Sequence, residues 1–370
     1  MDSVTGNTVS GNGSDNNQKG TNTMKYPRFL SENGAVGFAA PSFGCNAEPY
    51  KTKMECAISQ FKDWGHPVMV GPNCFLGDGV GISNTPDLCA KELTDLYCSR
   101  ENAVLLSVAG GELMNETMEK VDWKCIEKAE PKWYMGYSDN TNFSYLLTTK
   151  YDTASVYGPN AASFGTEPLH ESLMDAYRFL CGESMEFGNY EGFQKNEESL
   201  TTIDNPRAPF NTQHPFDPVF FDAEGNRCDS FHVTGRLLGG CMDVLANLRG
   251  TKYDCTRDFV RRYQEDGILW FLEACELNPM SVRRTLWAMK ESGWFRHVKG
   301  FLIGRPMFMD METCGLNQMD AAVSALAELH VPIAYGLDFG HLPPAMPIVC
   351  GAIAEADGEE KSFRIQYEFR

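Results

Sequence analysis

The chain has 370 residues, enough for about two domains at roughly 100–200 residues each. Its 32 basic and 50 acidic side chains leave a formal charge of −18, which excludes the broad basic footprint that nucleic acid or an anionic membrane requires. No run approaches the ~18–20 apolar residues of a membrane span, and the 42% apolar content is that of a globular protein.

Residues 1–31 open with Gly, Asn, Ser and Thr and lack the apolar stretch of a secretory signal, which predicts a disordered tail. The 13 cysteines are scattered and form no C-x-x-C pair, which predicts reduced, mostly buried thiols in a cytoplasmic protein. Residues 35–40 form an apolar run ending at Pro41-Ser42 and read as a buried strand. A helical pattern follows over 50–64, then a strand over 66–70. Thr85-Pro86 is a capping residue before proline, and predicts a helix to about Ser99. A third strand over 103–108, a helix over 112–129, a fourth strand over 133–137, a helix from Asp139 and a fifth strand over 155–157 complete the rhythm. Strands alternating with helices predict an α/β fold with a parallel sheet covered on both faces.

Residues 183–230 carry no clear period and read as a long excursion between domains. Order resumes near Phe231, with strands over 267–272 and 300–303, and helices after Asn278-Pro279 and over 321–330. The end reads as a β-hairpin turned at Asp357-Gly358. Arg283, Arg284, Lys290, Arg296, Lys299 and Arg305 form a locally basic stretch, either the wet face of a helix and its loop or a contact for an anionic substrate.

No phosphate-binding G-x-x-x-x-G-K-[ST] loop and no H-E-x-x-H zinc motif is present, and Gly77, Gly79 and Gly81 do not join a strand to a helix as a dinucleotide site would. Four segments carry chemistry. Gly136-Tyr137-Ser138-Asp139-Asn140 follows a strand and opens a helix, so Ser138 is either a helix cap or a nucleophile on a sharp turn beside unpaired N–H groups. Gly110-Gly111 ends a parallel strand, as a tight turn or as backbone that closely approaches a ligand. Glu273 closes an apolar strand, where it either reaches water or has a partner. Glu276, three residues on, is a second candidate carboxylate. His341 lies in a Gly/Pro-framed loop. Together they supply a nucleophile, a base, an orienting carboxylate and an oxyanion site.

Gly-Tyr-Ser-Asp at 136–139, Phe-Leu-Glu at 271–273 and Phe-Gly-His at 339–341 resemble the LD-carboxypeptidase / microcin C immunity family of serine peptidases, over about residues 32–370. Serine and glutamate are 135 positions apart, and glutamate and histidine 68. Supporting segments are Tyr157-Gly158-Pro159, Ser163-Phe164-Gly165, residues 235–240 and residues 298–304. The resemblance implies an N-terminal flavodoxin- or Rossmann-like domain over 32–182, the excursion, and a smaller β-rich domain over 231–370. It implies a homodimer without cofactor or metal. Ser138 would be the nucleophile, His341 its base and Glu273 the orienting acid. The N–H groups of Gly111 and Asp139 would form the oxyanion hole, with Gly110 and Cys241 beside the substrate.

The peptidoglycan branch usually has an Arg soon after the Gly-Gly pair, where this chain has Glu112-Leu113-Met114-Asn115. The excursion is more like the immunity branch, in which it helps hold an aminoacyl-nucleotide. Phe187, Tyr190 and Phe193 would then offer stacking faces, or simply pack the loop. The expected substrate is a small peptide or an aminoacyl-nucleotide. The alternatives are removal of a terminal D-amino acid from muropeptides and a catalytically silent binding protein on the same fold.

Overall fold

The computed structural model describes residues 23–370. The first half follows the expected α/β rhythm. Val36–Ala39, Val68–Val70, Val104–Ser107, Trp133–Met135 and Ser155–Tyr157 form one parallel sheet. Val36–Ala39, Val104–Ser107, Trp133–Met135 and Ser155–Tyr157 are buried along their full length, as strands covered on both faces must be. The capping signals act as read. Thr85 accepts from the Leu88 N–H ahead of Pro86, and Asn278 accepts from the Ser281 N–H ahead of Pro279.

The helix expected over 112–129 is two short ones, Met114–Met118 and Trp123–Lys128. Asp122 causes the break, because its side chain accepts from the N–H groups of Lys124 and Cys125 and starts a new helix.

A second sheet has nine strands, with Ser230–Cys241, Ile268–Glu273, Val298–Gly304 and Ile333–Leu337 parallel at its centre. The excursion 183–230 is not free of structure. Glu186–Gly188 forms one edge of this sheet, while Val219–Phe221 and Arg227–Cys228 form the other. The last hairpin pairs Ile353–Glu359 with Ser362–Glu368, so Asp357-Gly358 lies inside the ladder and the turn falls at 360–361. Gly358 is there for space. A Cβ on it would lie 2.4 Å from the Phe220 ring.

Ile348–Cys350 returns to the first sheet and pairs antiparallel with Ser155–Tyr157. The loop before it therefore crosses from one sheet to the other. Between the sheets lies the helix Thr141–Tyr151, in which every residue but Lys150 is buried. Its hydroxyls bond back to backbone carbonyls, Ser144 to Asn140 and Thr149 to Tyr145.

Of the tail expected to residue 31, residues 1–22 lie outside the described residues. The remainder is packed. Met24 and Leu30 are buried, and the Leu30 N–H donates to the Leu180 carbonyl. Tyr26 stacks on Phe369 at 4.4 Å. Arg236 ties this segment to the C-terminus. Its buried guanidinium donates to Asp266, to the Tyr26 hydroxyl and to the carbonyls of Gly351 and Arg370. Replacement by Met removes the cation and strands these partners, so Arg236→Met is expected to cost about 3 kcal/mol. A fall in the urea midpoint with an unchanged slope would show it; a midpoint within error of wild type would refute it.

The bland reading of the basic stretch holds for most of it. Arg283 bonds Ser324 and Lys290 pairs with Glu328, both at the surface. Arg305 is the exception, buried against Asp338 with its guanidinium over the Phe193 ring. Among the described residues no helix is long and apolar enough to cross a membrane.

Candidate active site

Three chain segments bring Ser138, His341 and Glu273 together. The strand Trp133–Met135 runs into Gly136-Tyr137, and Ser138 then takes φ +65°, a left-handed value that is costly for a residue with a Cβ. A helix cap needs no such conformation. It turns the Ser138 side chain out at the start of the central helix. Glu273 is the last residue of Ile268–Glu273, at the carboxyl end of a parallel strand. His341 rides on the loop that crosses between the sheets.

The polar contacts form a line. Ser138 Oγ is 2.9 Å from His341 Nε2, and His341 Nδ1 is 2.8 Å from Glu273 Oε2. The second Glu273 oxygen accepts from the Tyr157 hydroxyl at 2.5 Å, and that hydroxyl accepts from the Ser138 N–H at 3.3 Å. Gly340, at φ +108°, permits this approach, since a Cβ there would sit 2.8 Å from Glu273 Oε2. The Tyr137 ring meets the His341 ring edge-on at 5.1 Å.

Electrostatics fixes the charge state of the acid. Glu273 is fully buried, which pushes its carboxyl up. The charge of His341 and hydrogen bonds from His341, Tyr157 and Cys241 outweigh burial and hold it below the ordinary value. Burial likewise pushes His341 down, but the Glu273 charge, with bonds to Cys275 and Glu273, holds the imidazole well above 6.5.

Gly111 and Asp139 flank the serine. Gly111 has φ +154°, and a Cβ on it would fall 1.9 Å from Ser42 Oγ, so only glycine brings this backbone so close. The Asp139 N–H belongs to the first helical turn, where backbone donors lack intrahelical acceptors. The Asp139 carboxylate turns away. It accepts from Ser42 Oγ at 2.5 Å, from the Met114 N–H at 2.9 Å and from Asn142 at 2.9 Å, which fixes the turn. Gly110 passes the serine closely, and a Cβ there would lie 3.1 Å from Ser138 Oγ.

Other expected residues have different surroundings. Glu276 does not reach His341; it is exposed beside Glu112 and Asp243. Cys241 borders the same cavity, and its thiol meets Asp243 at 3.5 Å as well as Glu273. Burial pushes that thiol well up, so it remains a neutral donor. Phe187, Tyr190 and Phe193 are buried, Phe187 in the edge strand of the second sheet, and offer no free stacking face. Asp243 went unnoticed in sequence, and Tyr137, Ser42 and Tyr157 were named only as neighbours in Gly136-Tyr137-Ser138, Pro41-Ser42 and Tyr157-Gly158-Pro159, without a role.

Two cavities open at the site. One of about 350 Å³ is lined by His341, Lys53, Ser163, Gln194 and Phe210. The other, about 400 Å³, is lined by Ser138, Gly111, Asp139, Glu112, Asp243 and Glu276.

Comparison with known proteins agrees with this architecture. A Vibrio cholerae protein provisionally named a carboxypeptidase is 24% identical over 93% of this chain and 98% of its own length. The microcin C7 self-immunity protein MccF of Escherichia coli is 21% identical over 76% of this chain and 78% of its own. A solved structure of MccF in complex with glutamyl sulfamoyl guanosine superposes with a TM-score of 0.76 at 19% identity, covering 93% of this chain and 98% of that one. A MccF-like protein from Bacillus anthracis gives 0.74 at 20% identity, covering 93% and all of that chain. Residues 36–158 match the LD-carboxypeptidase N-terminal domain and residues 234–356 its C-terminal domain, so the chain belongs to the LD-carboxypeptidase family, which includes the MccF-like proteins.

Proposed function

We propose that the protein is a serine hydrolase that cleaves an amide in a small peptide or aminoacyl-nucleotide, with Ser138 as nucleophile, His341 as general base and Glu273 as the acid that orients it. The observation that carries this reading is the unbroken line from Ser138 Oγ through His341 to Glu273, with contacts of 2.9 and 2.8 Å. A serine hydroxyl at its ordinary pKa is a poor nucleophile, and an aligned imidazole removes its proton as the C–O bond forms. Glu273 holds Nδ1–H and stabilises the imidazolium. The Gly111 and Asp139 N–H groups face the developing oxyanion, and removal of one such donor costs roughly 3–4 kcal/mol of barrier. His341 then protonates the leaving nitrogen, and water releases the acyl group.

The leaving group occupies the His341 side, because the proton must reach it from Nε2. Lys53 lines that cavity, without an ion-pair partner among the described residues, and burial lowers its pKa. An uncompensated cation there favours an anionic leaving group, such as the phosphoryl or sulfamoyl linkage of a nucleotide or the carboxylate of a terminal amino acid. MccF itself has been solved with glutamyl and aspartyl sulfamoyl nucleosides. In the same reading the protein is a homodimer that acts in the cytoplasm, where its 13 free thiols stay reduced.

Intact-mass analysis with a neutral alkyl fluorophosphonate tests the mechanism. One adduct on wild type and none on Ser138→Ala is expected; no adduct on folded wild type would sink the triad. Turnover of an aminoacyl-sulfamoyl adenosine against a muropeptide tetrapeptide then decides the branch. Cleavage of the tetrapeptide alone would assign the protein to D-amino-acid removal.

A further inference from the structure

The strand Ser155–Tyr157 lies between two chain segments that carry reacting side chains. On one side Met135 pairs with Val156, and the Gly136 N–H donates to the Val156 carbonyl at 3.2 Å, just before the turn at Ser138. On the other, Tyr157 pairs with Ile348, the first residue of the strand that follows the His341 loop. The Tyr157 ring is buried, packed against Phe271 at 5.7 Å and edge-on to Tyr137 at 6.3 Å. It therefore touches both the strand of the acid and the turn of the serine.

Its hydroxyl has a fixed direction. The Ser138 N–H can only donate and an ionised Glu273 oxygen can only accept, so the hydroxyl proton points to Glu273 and a lone pair to Ser138. A closed ring of contacts results, from Ser138 Oγ through His341 and Glu273 to Tyr157 and back to the Ser138 N–H. Burial, and then the Glu273 charge, push the Tyr157 hydroxyl well up, so it stays a neutral donor.

We infer that Tyr157 is a positioning residue for the proposed reaction: its hydroxyl holds Glu273 toward His341 and fixes the turn that presents Ser138. This rests on the hydrolase reading above. Two separable effects follow. The bond from Tyr157 stabilises the charge on Glu273, so its loss leaves a more basic carboxylate that holds the imidazolium more firmly. Neutral His341 is the base, so the acid limb of the rate then moves to higher pH. The other groups around the imidazole stay in place. Glu273, Cys275 and Tyr137 act on the ring directly, Glu112 acts on it across the site, and Lys53 lines the same cavity. Cys241 remains as a donor to Glu273 and keeps it from turning away. The second effect is on the turn. Without the hydroxyl the Ser138 N–H loses its acceptor and the turn loosens, which lowers the rate at every pH.

The pH dependence of labelling by a neutral alkyl fluorophosphonate tests this without the natural substrate. Ser138 Oγ forms the P–O bond, fluoride leaves and His341 takes the hydroxyl proton. For Tyr157→Phe the labelling rate constant on the high-pH plateau is expected to fall about tenfold, and the acid limb to rise by roughly 0.5–1 pH unit. 3-Fluorotyrosine placed at 157 by amber suppression is a stronger donor of nearly the same shape, and should move the limb to lower pH. It decides the matter alone if the phenylalanine variant does not fold. A purely structural role would lower the unfolding midpoint and leave the limb in place. A limb that stays or moves to lower pH in folded Tyr157→Phe, or one that does not fall with 3-fluorotyrosine, overturns the inference and leaves the hydrolase reading standing. No labelling of folded wild type overturns both.

Discussion

Ser138→Ala is expected to lower kcat by about 10⁴- to 10⁶-fold while KM stays within a few-fold of wild type. The asymmetry follows from what the hydroxyl does. Bound substrate gains little from Oγ, whereas the transition state contains the bond that Oγ forms. Any residual rate would come from the flanking N–H groups and from substrate positioning alone. Backbone strain gives the same position a second readout. Ser138 sits at φ +65°, where an L-residue loses roughly 1–2 kcal/mol relative to an extended or right-handed conformation. Alanine keeps that strain and glycine relieves it. Ser138→Gly should therefore be as inactive as Ser138→Ala but more stable than it, by about 1 kcal/mol in thermal or urea unfolding. An active Ser138→Ala enzyme would remove the nucleophile assignment. Equal stability of the two variants would show that the turn is unstrained.

The features legible in the sequence were those with a local cause. An apolar run that ends in Gly136 and resumes as a helix identifies a strand–turn–helix whatever lies around it. Thr85-Pro86 and Asn278-Pro279 announced helix starts because capping is complete within four residues. The helix over 112–129 was misread because Asp122 has the same identity as a surface aspartate, and only its bonds to the Lys124 and Cys125 N–H groups make it a cap. Long-range partners left less trace. Ile348–Cys350 leaves the second sheet to pair with Ser155–Tyr157, nearly two hundred residues earlier, and nothing in its own sequence shows it. Yet that return places the loop carrying His341 over Ser138. Gly358 resembled a turn glycine, but what requires glycine there is the Phe220 ring. The acidic cavity was hidden for the same reason. Glu112, Asp243 and Glu276 come from three distant segments, and the acidic balance of the whole chain masks a local excess.

Glu273→Gln is expected to reduce kcat by roughly 10⁴-fold and to move the acid limb of the pH–rate profile to lower pH. The size follows from the tautomer. Glutamine can offer Nε2–H to His341 Nδ1, which leaves the proton on Nε2, where it cannot accept from Ser138. The shift follows from charge. In wild type the Glu273 carboxylate outweighs burial and holds His341 well above 6.5, so the neutral base is lost as pH falls through a value above the ordinary one. Without that charge burial prevails and the imidazole stays neutral to lower pH, so the limb retreats toward acid. Tyr157 and Cys241 would then face an amide, for which their hydroxyl and thiol remain suitable donors, so the fold should survive. Glu276→Gln is the control that separates the two carboxylates. It leaves His341 Nδ1 paired, so its pH profile should match wild type. A 10⁴-fold loss in Glu276→Gln, or an acid limb unmoved in Glu273→Gln, would show that Glu273 does not set the base.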